Sequence, residues 1–206
     1  MSLAAAVASI VLALGGPTAQ GTAAATAGPC DVLRSGIALQ LDLRRIGPFP
    51  AAATLDSLRR LCPSAQPTMG HGFETGWAAL DLSIGGLGIL AGQNWLHKPL
   101  VDAPEVPDPV VDWSRAPSHW VVRGCGALLP RGVSSCGTWA DLTAAFGAVG
   151  SADASFGPVV VSLAELPGFS LELDVTDETV GSIEVHGHLT RIPPTARVVA
   201  IVIATP

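Results

Sequence analysis

The sequence predicts an α+β protein with two related halves, each a short helix packed on antiparallel strands whose other face is solvent-exposed. Three observations support this fold: two similar helical segments, alternating strand patterns after each of them, and a proline-rich stretch between the halves. The chain has 206 residues, of which 49% are hydrophobic and 14% charged. This composition supports a folded core and is not typical of disordered proteins.

The two helical segments share the pattern T-x-x-x-L-x-x-x-(C/F), and the second begins 84 positions after the first. Thr54 and Thr138 are predicted N-caps, because a threonine hydroxyl can accept a hydrogen bond from a free amide of the first turn. Asp141 completes a capping box in the second segment. The apolar positions lie on one helical face; they are Leu55, Leu58 and Cys62 in the first segment, and Trp139, Leu142 and Phe146 in the second.

Alternating stretches follow each helix, at GWAALDLSIGGLGILAG from Gly76 and at GPVVVSLAELPGFSLELDV from Gly157. Each predicts two strands joined near a glycine, and in the second stretch apolar residues from Phe169 to Val175 alternate with polar ones. HWVVRG from His119 predicts the strand that opens the second half, and RVVAIVIATP predicts a central strand. A further strand is expected before the first helix, where Ile37, Leu39, Leu41 and Leu43 alternate with polar residues.

The repeated T-x-x-x-L-x-x-x-(C/F) pattern and the strands after it resemble the small helix-plus-sheet repeats of bacterial envelope proteins. Proteins of this kind include the beta-lactamase inhibitor proteins and the small outer-membrane assembly lipoproteins. The resemblance implies a tandem α+β architecture and transfers no functional residue.

The N-terminal sequence predicts export. The apolar run LAAAVASIVLALGG from Leu3 is too short to cross a bilayer, and small residues with an A-x-A cleavage site follow it. We therefore expect a signal peptide at 1–27, with a buried N-terminal helix of a cytosolic protein as the alternative. The remaining divisions are a first repeat at 28–95, a proline-rich linker at 96–118 and a second repeat at 119–206. The expected location is periplasmic or extracellular, with no integral membrane span.

Four cysteines remain after this cleavage, namely Cys30, Cys62, Cys125 and Cys136. An even number in an oxidising compartment predicts two disulfides, with three possible pairings. Proximity in sequence favours Cys30 with Cys62 and Cys125 with Cys136. Metal binding by these thiols is the alternative, but their spacing lacks the CxxC pattern of zinc sites.

The charge pattern argues against one class of partner. The net charge is -6, and the 11 basic residues occur singly or in pairs. Nucleic acid is therefore not expected as a partner, because binding its backbone requires clustered cations.

Two sets of residues are candidate sites. If residues 169–189 form a hairpin centred near Thr179, Glu172 lies opposite His186, and two imidazoles and several carboxylates share one face. Such a set could bind a divalent metal, although a polar outer face is what any half-exposed strand requires; its members are Glu172, Glu184, His186 and His188. The second set is Trp95, Trp113 and Trp120, which flank the proline-rich stretch and could bind a ligand or anchor a loop to the core.

The sequence lacks the motifs of nucleophilic catalysis and phosphate binding. We therefore expect a non-catalytic envelope or extracellular protein that binds another protein or a small ligand, with the space between the halves as the first place to look. A metal-binding protein or metal-dependent hydrolase is the second hypothesis, and no other cofactor is expected.

Overall fold

The structure, a computed structural model, describes residues 28–71, 75–96, 111–147, 149–153, 158–176 and 192–205. The expected signal peptide at 1–27 lies outside these residues. Within them, the helices are α1 (Pro29–Arg34), α2 (Leu55–Leu61) and α3 (Trp139–Phe146). The strands are β1 (Leu39–Gln40), β2 (Arg45–Ile46), β3 (Phe49–Pro50), β4 (Gln66–His71), β5 (Thr75–Asp81), β6 (Gly88–Leu96), β7 (His119–Arg123), β8 (Ala127–Leu128), β9 (Val149–Asp153), β10 (Pro158–Leu163), β11 (Phe169–Thr176) and β12 (Val198–Ala204).

Eight strands of the described chain form one antiparallel sheet in the order β4-β5-β6-β7-β12-β11-β10-β9. The centre of this sheet is the β7–β12 pair, where Val121 lies opposite Val202. The central position of β12 confirms the prediction from RVVAIVIATP. Few helices beside a large antiparallel sheet confirm the α+β class.

Both longer helices begin and pack as their patterns predict. The Thr54 hydroxyl accepts a hydrogen bond from the Ser57 amide at 3.2 Å, and the Thr138 hydroxyl accepts one from the Asp141 amide at 3.2 Å. The Asp141 carboxylate in turn accepts the Thr138 amide at 2.8 Å, which completes the capping box and, with the Thr138 hydroxyl, lowers the pKa of Asp141. All six predicted apolar positions of the two helices are buried.

The first amides of each helix are also bound by a loop that precedes a central strand. In α2, the Leu55 amide donates to the Arg115 carbonyl at 3.0 Å and the Asp56 amide to the Trp113 carbonyl at 2.9 Å. In α3, the Trp139 and Ala140 amides donate to the carbonyls of the loop before β12, those of Ala196 at 2.7 Å and Pro194 at 3.0 Å. These bonds satisfy helix amides that would otherwise lack partners.

The core lies between the helices and one face of the sheet. Trp120 of β7 is fully buried there, stacks on Phe49 with ring centroids 6.2 Å apart, and donates from its indole nitrogen to the Ala51 carbonyl at 3.0 Å. Its neighbours on β6, β11 and β12, including Ile89, Leu171 and Ile201, are also fully buried. This face of the sheet is therefore the covered one.

Two disulfides form the predicted pairs. Cys30 of α1 is bonded to Cys62 at the end of α2 with a Cα–Cα distance of 5.6 Å, and Cys125 is bonded to Cys136 with a distance of 4.9 Å. The pairing favoured by proximity is thus confirmed. Two disulfides indicate an oxidising, exported compartment. Among the described residues, no helix has both the length and the hydropathy that a bilayer span requires.

The strand expected at residues 37–43 is wrong in extent. Only Leu39 and Gln40 form a strand there, paired in parallel with β8, and Ile37 is 66% exposed. The chain turns at Asp42, whose carboxylate accepts hydrogen bonds from the amides of Arg44 at 2.7 Å and Arg45 at 2.8 Å. An Asx turn of this kind competes with extended pairing, and the alternating pattern did not include it.

Candidate ligand-binding cleft

The face of the sheet opposite the helices is the outer face, and it carries a mixed surface. Leu90, Val121 and Val202 lie side by side on the central strands β6, β7 and β12 and are half-buried. Polar residues continue the same row on β11 and β10, where the hydroxyls of Ser170 and Ser162 are 3.5 Å apart. The half-exposed strand pattern predicted for β11 is confirmed, since its apolar residues are buried and Ser170, Glu172 and Asp174 are not.

Two aromatic rings on the outer face lie over glycines of neighbouring strands. A methyl group added to Gly70 would lie 2.5 Å from the Trp77 indole, and one added to Gly92 would lie 2.5 Å from the His119 imidazole. A larger residue at either glycine would therefore displace the ring that lies over it. Burial lowers the pKa of His119, and its Nδ1 lies 3.1 Å from the Ser118 hydroxyl.

The three candidate tryptophans lie in different environments. Trp120 is in the core with an exposed fraction of 0%, so its ring faces the protein interior and offers no surface to a ligand. Trp113 is half-buried under the Arg59 guanidinium, whose central carbon is 5.5 Å from the ring centroid. Trp95 lies in β6 opposite Gly76, and its side chain is outside the described residues. The structure therefore does not bring Trp113 and Trp120 into one binding surface.

The hairpin that would place Glu172 opposite His186 does not form at Glu172. The residues paired with Glu172 on the adjacent strands are Val160 of β10 on one side and Ala200 of β12 on the other. The predicted pairing was wrong because the sequence does not show which strand returns beside β11. The metal candidates Glu184, His186 and His188 lie outside the described residues. Within the described part of the chain, no group of three or more potential metal ligands is close enough to hold an ion.

A cleft of about 480 Å³ lies at the end of the sheet where β10 turns into β11. Its apolar wall includes Leu166 and Phe169, which are each 3% exposed, and the half-buried Leu43. Pro130 and Pro167 extend this wall, and the charged rim consists of Asp42, Arg44, Arg45 and Glu165. The cleft therefore combines an apolar interior with a charged entrance.

Two tight turns build this cleft. Gly168 has a φ of +79°, and a methyl group added to it would lie 2.6 Å from the Leu43 side chain. Glycine at this position therefore allows both the left-handed turn and the close contact with Leu43. On the other side, the Asp42 carboxylate holds the backbone of Arg44 and Arg45 in its turn.

The carboxylates at the rim are already engaged within the protein. Glu165 forms an ion pair with Arg131 at 2.8 Å, and the Arg131 guanidinium also lies 5.3 Å from the Phe146 ring centroid and donates to the Ala145 carbonyl. Arg44 and Arg45 form no ion pair within the described part of the chain. One nitrogen of Arg45 donates to the Pro48 carbonyl at 3.3 Å, which uses one of the five N–H donors of its guanidinium group.

Comparison with known proteins identifies no family for this chain. No protein-family model matches it, and no curated protein matches it significantly. Among solved structures, it is similar to the crystal structure of the uncharacterized protein yfeY from Escherichia coli. That match has a TM-score of 0.47 and 13% sequence identity, and it covers 81% of this chain and 99% of that chain.

The sequence did not reveal the cleft, because its two sides are far apart along the chain. The segment 42–45 lies beside the turn 164–168 in the folded chain, where β1 pairs with β8 and β10 and β11 are part of the sheet. The available signals were the adjacent arginines after Leu43 and the L-P-G turn before Phe169. Neither signal indicates that the two segments meet.

Proposed function

We propose that the protein is an exported, non-catalytic binding protein of the periplasm or extracellular space that holds a small molecule in this cleft. The observation that supports the proposal is the cleft itself, with its volume of about 480 Å³ and its largely apolar lining. Small-molecule sites have volumes of roughly 300 to 1,000 Å³ and combine an apolar lining with a few polar groups. The cleft meets both conditions.

The chemistry of the lining supports binding rather than turnover. The described lining contains no hydroxyl, thiol or imidazole side chain that could act as a nucleophile or neutral base. Both carboxylates of the lining already have partners. Asp42 accepts hydrogen bonds from two backbone amides, and Glu165 forms an ion pair with Arg131. Groups engaged in this way can position a ligand but are poorly placed to transfer protons.

The scaffold of this site is, in our proposal, a tandem pair of related units, α2 to β7 and α3 to β12. The strand order supports the pairing, because four strands of the first unit meet four of the second in reverse order. In each unit, the first two amides of the helix also donate hydrogen bonds to two carbonyls of the loop before the last strand. These two carbonyls belong to residues two positions apart in both units. These units differ from the sequence division at 119, since β7 closes the first unit and does not open the second.

The β7–β12 register supports the same symmetry. Val121 pairs with Val202, and the pairs on either side are Trp120 with Ile203 and Val122 with Ile201. An approximate twofold axis through the Val121–Val202 pair would exchange these flanking pairs. In this arrangement the sheet runs continuously through the junction, so the ligand site lies at one end of the second unit and not in a groove between halves.

The binding proposal can be tested with an uncharged fluorescent probe. N-phenyl-1-naphthylamine emits strongly in apolar sites, and we expect it to bind the oxidised protein in a ratio of one to one. Substitution Pro167→Trp places a large ring on the exposed wall of the cleft and should weaken probe binding about tenfold or more. Met69→Trp, on the exposed edge strand β4, is the matched control and should leave binding unchanged. Equal probe binding by the unsubstituted protein and both variants, or no probe binding by the unsubstituted protein, would contradict the proposed site.

A further inference from the structure

We propose that the ligand of this cleft is a small amphiphilic carboxylate, such as a medium-chain fatty acid, with its carboxylate at Arg44 and Arg45. This inference rests on the proposed binding function and adds the chemical class of the ligand. It follows from the distribution of charge around the cleft and from the separation of its charged and apolar parts.

The charge at the entrance favours an anion. The cleft and its ion-paired neighbour hold three guanidinium groups, those of Arg44, Arg45 and Arg131, and two carboxylates, those of Asp42 and Glu165. Arg131 and Glu165 neutralise each other at 2.8 Å. The Asp42 carboxylate accepts two backbone amides and forms no ion pair with an arginine in the described part of the chain. Arg44 and Arg45 therefore remain as the cations available to a ligand.

The geometry of a guanidinium group suits a carboxylate head group. A guanidinium presents parallel N–H donors that match the two oxygens of a carboxylate, and such charge-assisted bonds are about twice as strong as neutral ones. Both arginine side chains are exposed, so an incoming carboxylate can reach them without unfolding the turn.

The inner wall favours an apolar tail. The accessible apolar surface comes from Leu43 and Pro130, which are half-buried, and from Pro167, which is exposed, while Leu166 and Phe169 are almost fully buried. None of these side chains is a hydrogen-bond donor. A polar ligand would lose hydration there without replacement, whereas a hydrocarbon tail gains from leaving water. A ligand with a charged head and an apolar tail therefore satisfies both parts of the cleft.

The test compares decanoate with decanol, which differ in the charged head and share the tail length. Both are titrated against N-phenyl-1-naphthylamine bound to the oxidised full chain. We expect decanoate to displace the probe at a concentration about tenfold lower than decanol. Raising NaCl from 0.1 to 1 M should weaken decanoate binding more than decanol binding, because salt screens the arginines. Equal displacement by the two compounds would overturn the carboxylate assignment and leave the proposed binding function intact.

Variants at the rim test the named residues in both directions. Arg44→Gln and Arg45→Gln should each weaken decanoate binding severalfold and leave decanol binding unchanged. Asp42→Asn keeps an acceptor for the turn and removes the negative charge, so it should tighten decanoate binding severalfold, a gain that misfolding does not produce. Arg123→Gln, an exposed arginine on β7 outside the cleft, is the charge control. Unchanged decanoate affinity in both arginine variants, or the same loss in Arg123→Gln, would overturn the proposal.

Discussion

Trp120 provides the sharpest test of how the core is held together, because the sequence allowed it to be either a ligand contact or an anchor. In the structure its side chain is fully buried, its ring stacks on Phe49, and its indole nitrogen donates to the Ala51 carbonyl at 3.0 Å. The substitution Trp120→Phe keeps an aromatic ring and removes this donor. The loss of stability in this variant therefore measures the contribution of the hydrogen bond together with that of part of the ring volume.

The expected cost has two parts. A buried carbonyl left without a donor costs about 1 to 3 kcal/mol, and the space left by the smaller ring costs about 1 kcal/mol. The free energy of unfolding should thus fall by about 2 to 4 kcal/mol. For a chain of this size, this corresponds to a decrease in Tm of about 4 to 16 °C.

Urea denaturation followed by far-UV circular dichroism measures this cost without relying on tryptophan emission. The denaturant slope should stay unchanged, which would show that the variant alters stability and not the surface exposed on unfolding. Trp113→Phe is the matched control, and it should cost less than about 1 kcal/mol because Trp113 is only half-buried, with the core on one side of it and the Arg59 guanidinium over its ring. A loss below about 1 kcal/mol for Trp120→Phe, or an equal loss for both variants, would refute the assignment of Trp120 to the core.

Three further predictions concern the helix caps, the disulfides and His119. Thr138→Ala should lower the free energy of unfolding, measured in urea, by about 1 kcal/mol, because it removes the N-cap of α3. Thr54→Ala should cost a similar amount at α2 if the two units are related. A cost at one site alone would argue against their equivalence. Replacing both cysteines of the Cys30–Cys62 disulfide, whose sequence separation is 32, should lower the free energy of unfolding by about 3.7 kcal/mol in the chain-entropy model. The same change at Cys125–Cys136, whose separation is 11, should cost about 2.8 kcal/mol. The reverse order would contradict a loop-entropy origin of the stabilisation. The lowered pKa of His119 means that the unfolded chain binds its proton more readily, so stability is fully present above the ordinary pKa of about 6.5 and decreases as the pH falls below it. His119→Gln should therefore lose less stability than the unsubstituted protein between pH 7.5 and 5.5, by at most about 1.4 kcal/mol per pH unit, and parallel pH profiles for the two proteins would rule out this contribution.

Elements defined by local patterns were predictable from the sequence. The α2 and α3 helices have a hydroxyl cap and apolar positions at helical spacing, and both signals lie within a few residues of each other. The alternation of β11 matches its one covered face, and the continuous apolar character of β12 matches its central place in the sheet, although Val199 of β12 is 42% exposed. The disulfide pairing followed from proximity because each pair closes a short loop.

Other features were not predictable, in one case because a local side chain competes with the strand pattern and in two cases because they depend on distant contacts. The strand expected around Leu41 gave way to an Asx turn at Asp42, because the local carboxylate competes with strand pairing. The partner of Glu172 was predicted wrongly because β12, rather than the segment that follows β11, occupies its second edge. The cleft escaped detection for the same reason, since Leu43 and Phe169 are distant in sequence and line one cleft in the folded chain.

The most direct test of the central claim is to locate a bound amphiphile by NMR. Amide resonances of uniformly labelled, oxidised protein would be recorded as decanoate is added. We predict that the largest shift changes fall at residues 42–45 and 165–169 on the two sides of the cleft. Shift changes centred on the outer-face row of Leu90, Val121 and Val202, or spread evenly over the protein, would contradict the claim that the cleft is the binding site.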